Sequence, residues 1–171
     1  VLNQKMDKVG VRYLRMEELS KGVGATAKII LAADVNLDRL CVLKVPNLRV
    51  VLEGNYNIAS FINDFRSEAK KLKTLEHPNI VRVYDVHDID LQAYLKLTKE
   101  DIDPGQIGKT TGIPVIAMEY LAGESLEQKL IDLKGMGFKG FRLSYVIEKM
   151  LSLVSAMKAM KENGITHRDI K

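Results

Sequence analysis

Several residues of this chain have the types and spacing of groups that handle anions or protons. Lys44 stands inside the apolar run "CVLKV", Cys41 to Val45, where an unpaired ammonium is costly to bury. Glu68 falls within the apolar stripe of a predicted helix, among Phe61, Phe65, Leu72 and Leu75, where a lone carboxylate carries a similar penalty. A strand lysine that needs an anion and a helix glutamate that needs a cation are natural partners; the alternative is that each reaches water separately. Gly22 and Gly24 in "GVGATAKI" fit either a hairpin turn or a loop whose backbone N–H groups lie over phosphates with no side chain in the way. The triplet His167-Arg168-Asp169 follows a helix pattern and the helix-stopping Gly164, and Lys171 comes just after it. Taken alone, Asp169 would be a surface-turn residue; the triplet after a helix stop also looks like the start of a catalytic loop.

A second glycine stretch, "DPGQIGKTTG" (Asp103 to Gly112), only mimics a phosphate site through Gly108-Lys109-Thr110. A P-loop needs glycine where this chain has Asp103, whose carboxylate repels phosphate, and it follows a strand instead of preceding one. It reads as a loop tip.

The elements that must position these residues show in the pattern. Tyr13–Leu19, Ala27–Asp34 and the β-rich Arg39–Val45, closed by Pro46, read as strands separated by turn residues, a three-stranded antiparallel meander. A helix follows, from Asn57 or Ser60 as N-cap to Leu75, stopped before His77-Pro78. Asn79–Val86 and Ile113–Leu121 read as two more strands. The polar stretch between them, His87–Gly112, is either a surface insertion with structure of its own or a mobile loop. After Ala122-Gly123 the pattern turns helical, over Glu124–Lys134 and then Ser144–Glu162, with Ile147, Met150, Val154 and Met157 on one face. Five strands with one helix after the third, then a helical segment, describe an α+β protein of two lobes, the second incomplete. The expected organisation is a lead-in over 1–12, a first lobe over 13–121 with an insertion at about 87–112, and the start of a second lobe over 122–171.

The bulk properties narrow the classes. The 171 residues suffice for one domain with a sizeable core, or one domain and part of another. Net charge is +4, but the cations are spread along the chain. The densest patch, Arg66–Lys73, reads as a solvated helix face, so nucleic acid is not an expected partner. A single cysteine, Cys41, excludes an internal disulfide. No segment has the apolar length of a membrane span and the first residues lack signal-peptide form, so a cytoplasmic setting is expected. Val1 in place of an initiator Met, and Lys171 so soon after Gly164, suggest a piece of a longer protein.

Taken in order, "GVGATAKI", "CVLK", "FRSEAKKLKTLEHPNIV", "AMEYLAGESL" and "THRDIK" resemble the motifs of eukaryotic-type (Hanks-type) serine/threonine protein kinases, in particular the bacterial ones. The resemblance covers about Tyr13 to Lys171, nearly the whole chain; "HPNIV" and "HRDIK" are its most specific parts. It implies a five-stranded antiparallel N-lobe with an αC helix, followed by the first helices of a helical C-lobe. It implies ATP and Mg2+ as cofactors and a protein substrate with a Ser or Thr hydroxyl. Gly22, Gly24 and Ala27 would then cover the phosphates, and Lys44, held by Glu68, would contact the α- and β-phosphates. Ile29 and Val42 would enclose the adenine. Met118 would gate the back pocket, and the backbone of Glu119 and Leu121 would bond the adenine edge. Asp169 would orient the substrate hydroxyl and Lys171 would neutralise charge on the moving phosphoryl group. Arg168 beside Asp169 implies an activation loop set by phosphorylation.

The chain departs from the family pattern in places. Ala27 replaces the third glycine, and Lys21 stands where an apolar residue usually precedes the first. The connection "PNLRVVLEGNYN" is extended, and His87–Gly112 is inserted. The family's magnesium ligands, a catalytic-loop Asn and a D-F-G Asp, are expected beyond residue 171, so no metal ligand is assigned here. The expectation is therefore an ATP-dependent protein kinase that is inactive as these 171 residues. The alternative is a truncated or pseudokinase-like module that binds nucleotide and acts as a scaffold.

Overall fold

The computed structural model describes residues 7–9, 12–19, 25–108 and 112–166. The β-rich run Arg39–Pro46 forms a central strand that is buried on one face and mostly covered on the other. Cys41, Leu43 and Val45 are fully buried on one side, and Val42 and Lys44 fall on the other. Burial pushes the Cys41 thiol up to about 11, so the single cysteine is a core residue.

The strands are β1 (Asp7–Val9), β2 (Tyr13–Glu18), β3 (Ala27–Asp34), β4 (Arg39–Pro46), β5 (Val83–Ile89) and β6 (Ile113–Glu119). They form one antiparallel sheet in the order β1-β2-β3-β4-β6-β5. The sheet has six strands where five were expected. The extra one, β1, lies in the expected lead-in and pairs Asp7 with Arg15 and Val9 with Tyr13. So short and polar a run carries no alternation of its own; it is a strand because the edge of β2 accepts it. β5 also starts later than the Asn79 expected, because a turn comes first: Ile80 N–H donates to His77 C=O at 3.1 Å, and Asn79 N–H to His77 Nδ1 at 3.1 Å.

The chain divides into two compact units, one of Val1–Thr74 with Arg82–Tyr120, the other of Leu75–Val81 with Leu121–Lys171. The first contains the sheet, α1 (Leu48–Glu53), α2 (Ile58–Lys73), α3 (Leu91–Thr98) and α4 (Pro104–Ile107). Asn57 caps α2, accepting from Ser60 N–H at 2.9 Å. The long connection before it has structure of its own: Asn47 caps the short α1, which buries Leu48 and Val51.

Residues 90–108 are structured too. Asp90 caps α3, and Asp103 with Pro104 starts α4. Tyr94, Leu97, Ile102 and Ile107 from this segment are buried with Ile30, Ala32, Cys41, Leu43, Val45, Val115 and Ala117. The insertion thus supplies much of the cover for one face of the sheet, together with Leu48 of α1 and Ile62 of α2.

The second unit contains α5 (Leu126–Gly135), capped by Ser125, and α6 (Leu143–Glu162). α6 buries Ala156 and Met160, while the expected face of Ile147, Met150, Val154 and Met157 is exposed. One other described helix and a turn cannot surround a helix of 20 residues. Among the described residues no helix is long and apolar enough to cross a membrane.

An ion network ties the sheet to the end of α2. Arg12 bonds the almost fully buried Asp34 at 3.0 Å and Asp85 at 2.8 Å, and Lys73 bonds Asp85 at 3.0 Å. Burial alone would raise the Asp85 carboxyl, but hydrogen bonds from Lys73 and Arg12 outweigh it and hold the group down at about 2. Because the folded value lies below the ordinary 3.8, the contribution is whole above that pH and is lost as pH falls toward 2. It amounts to about 2 kcal/mol. Thermal unfolding from pH 6 to 2 should therefore show Asp85→Asn less stable by that amount at pH 6, with the gap closing near pH 2. A gap independent of pH would contradict this assignment.

Candidate functional site

Lys44 lies in the middle of the sheet, opposite Ile29 of β3 and Ile116 of β6. Val42 lies opposite Leu31 and Met118, and Ala27 opposite Pro46. Residues paired across antiparallel strands share a face. Ala27, Ile29, Val42, Lys44 and Met118 therefore line one side of the sheet, the side away from the insertion.

α2 packs on that same side. Ala69 is buried against Val83 and Ile116, with Phe65, Leu72, Val86 and Met118 around them. This brings the Lys44 ammonium to 3.9 Å from Glu68 Oε1 and 5.6 Å from the centre of the Phe65 ring. The expected partners do meet. The reason first given for their meeting is corrected, however: Glu68 is not on the buried face, its side chain being 59% exposed against 28% for Lys44. The buried stripe of α2 runs through Ile62 and Ala69, with Phe65 and Leu72 half-buried, and Glu68 flanks it. So exposed a pair at that distance adds little to stability, less than about 1 kcal/mol. What it does is hold a cation at a defined place on an apolar surface.

That surface is only partly covered. Val42 is buried, whereas Ala27, Ile29 and Met118 are half-buried. Glu119 ends β6, its N–H donating to Arg82 C=O at 2.9 Å. Leu121, exposed, opens the second unit. Gly22, Gly24, Asp169 and Lys171 lie outside the described residues, as do Arg168 and the Lys109-Thr110 of the P-loop mimic. Among the described residues no group of three His, Cys, Asp or Glu side chains could hold a metal ion. The described part of the site is an apolar sheet face with an ammonium beside it.

A family model for the protein kinase domain matches residues 15–171. The chain belongs to the protein kinase domain family. It is 31% identical over 151 residues to serine/threonine-protein kinase PrkC of Bacillus subtilis, covering 88% of this chain and 18% of that protein. It is 30% identical over 150 residues to serine/threonine-protein kinase PknB of Mycobacterium leprae, covering 88% and 20%. To serine/threonine-protein kinase PksC of Streptomyces coelicolor it is 31% identical over 163 residues, covering 95% and 25%. This kinase-domain chain thus spans a quarter or less of those three relatives.

Two residues of the site escaped the sequence reading. Phe65 counted as a core position, yet its ring also faces Lys44; its place one turn before Glu68 is the signal that could have found it. Arg66 is expected in a solvated patch, but its side chain is only 21% exposed and bonds Asp88 and the Gly112 carbonyl. Nothing local to "RSEAKKLK" separates Arg66 from Lys70 and Lys71, which are exposed as expected.

Proposed function

We propose that the protein containing this chain is an ATP-dependent protein kinase that transfers the γ-phosphate of ATP to Ser or Thr hydroxyls of other proteins. The observation that carries this is the Lys44 ammonium, held 3.9 Å from Glu68 on the sheet face that also bears Ile29, Val42 and Met118. Ile29 and Val42 offer the adenine an apolar surface. Lys44 supplies positive charge to the α- and β-phosphates, and Glu68 and Phe65 keep the ammonium from turning away. Backbone C=O of Glu119 and N–H of Leu121 are the proposed partners of the adenine edge, and Gly22 and Gly24 the proposed cover of the phosphates. Asp169 orients the attacking hydroxyl and Lys171 meets the charge of the moving group.

The family generally uses Mg2+ with ATP. Among the described residues no set fits the metal. ATP is spent where the cell holds it, which makes the cytoplasm the proposed location.

The test is incubation of the protein as its organism makes it with γ-labelled ATP, Mg2+ and a general acceptor protein. Label recovered as phosphoserine or phosphothreonine is the expected result. Tight ATP binding without transferred label would favour the nucleotide-binding scaffold.

A further inference from the structure

The Lys44–Glu68 pair cannot hold α2 in place by itself. It is too exposed, and α2 buries only Ile62 and Ala69 among its 16 residues. A stronger anchor is Arg66. Its Nε and Nη2 reach Asp88 Oδ1 at 3.3 and 3.2 Å, Nη2 also reaches Asp88 Oδ2 at 3.2 Å and Gly112 C=O at 3.1 Å, and Nη1 reaches Asn63 Oδ1 at 2.9 Å. Asp88 and Gly112 are the two stems of the inserted segment, where the chain leaves β5 and returns to β6. They are pressed together: a Cβ on Gly112 would lie 2.8 Å from Asp88 Cβ, and Gly112 has φ +137°, which favours glycine. The stems thus set a carboxylate and a carbonyl side by side, a receptor for a planar fork of N–H donors that a lysine would fill only in part.

We propose that Arg66 is a positioning residue: by gripping both stems of the insertion it sets the rotation of α2 that brings Glu68 to Lys44. At about 100° per residue, Arg66 and Glu68 point from nearly opposite flanks of the helix. Fixing one flank to the sheet therefore fixes where the other points. The insertion, anchored to the opposite face of the sheet by Tyr94, Leu97, Ile102 and Ile107, gives that grip a rigid base. The kinetic part of this inference rests on the proposed kinase activity; the geometric part does not.

The experiment uses the protein as its organism makes it, with Arg66→Ala, Glu68→Gln, the double variant and Asp88→Asn. Two quantities are read: kcat and KM for ATP, and the rate at which Lys44 is acylated by an amine-reactive reagent, followed by mass spectrometry. Arg66→Ala should lower kcat/KM about tenfold, mainly through KM, and speed Lys44 acylation. Neither change should add to that of Glu68→Gln, because Arg66 acts through Glu68. Asp88→Asn opens the grip without touching α2, so it should reproduce the direction of both changes even if Arg66→Ala misfolds. Effects of Arg66→Ala that are undiminished in the Glu68→Gln background would overturn the proposal, as would unchanged Lys44 acylation in both Arg66→Ala and Asp88→Asn. A wild-type protein without ATP turnover would sink the kinase reading alone, since acylation would still decide the role of Arg66.

Discussion

Lys44→Met should remove phosphoryl transfer, lowering kcat by about 10³, while leaving the folded structure in place. The two halves of that expectation have separate causes. The ammonium is the only cation that β4 offers on the sheet face shared by Ile29, Val42 and Met118, so its loss leaves the phosphates without their proposed partner. Stability is another matter. Glu68 is mostly exposed and regains water when its partner goes, so no buried charge is stranded. Methionine also matches the length of the lysine stem and sits well beside Phe65. The melting temperature should shift by no more than about 2 °C either way. Kinetics and thermal unfolding on one preparation check both halves. Turnover retained in Lys44→Met would remove the main support for the kinase reading. A collapse of the fold would mean that Lys44 had been assigned the wrong kind of role.

The second large effect lies in the inserted segment. Leu97→Ala should destabilise the protein by about 3 kcal/mol, as for other fully buried leucines. Leu97 is 1% exposed, and its carbonyl accepts from Arg15 Nε at 2.7 Å, so α3 is fastened to β2 by a buried charged group. The neighbouring Tyr94 adds a polar anchor. Its hydroxyl accepts from Leu48 N–H at 3.1 Å and lies 2.9 Å from Pro46 C=O, and it also meets Glu100, whose other oxygen is 3.3 Å from Lys28 Nζ. A loop laid on the surface would tolerate Leu97→Ala at a cost below about 1 kcal/mol. Chemical denaturation separates these outcomes. The small value would mean that α3 peels away from a sheet that stands without it.

How much of this could be read from the chain alone depends on the range of the forces involved. The β-rich composition of Arg39–Val45 is a local signal, and so is the Asn57 cap of α2. Both survive in the structure with little change. The partnership of Lys44 and Glu68 was expected too, but on the wrong ground: with its side chain 59% exposed, Glu68 is not forced by burial to find a cation. The order of the motifs placed the chain in its family, since each motif is a short stretch.

Other features depend on contacts between distant segments, and the sequence says little about those. Whether Glu68 is buried depends on the rotation of α2, which helical periodicity leaves uncertain by about one residue, or 100°. Whether Arg66 is solvated depends on Asp88 and Gly112, which are far away in sequence. β1 has no pattern of its own and is a strand only because β2 has a free edge. The inserted segment looked polar because its buried residues, Tyr94, Leu97, Ile102 and Ile107, are widely spaced among exposed ones. Only the sheet face that receives them makes them a core. Local signals therefore determined most of the strands and helices. The tertiary structure decided which flank of α2 faces the sheet and what holds it there, because a polar group's long-range partner leaves no trace in its neighbours along the chain.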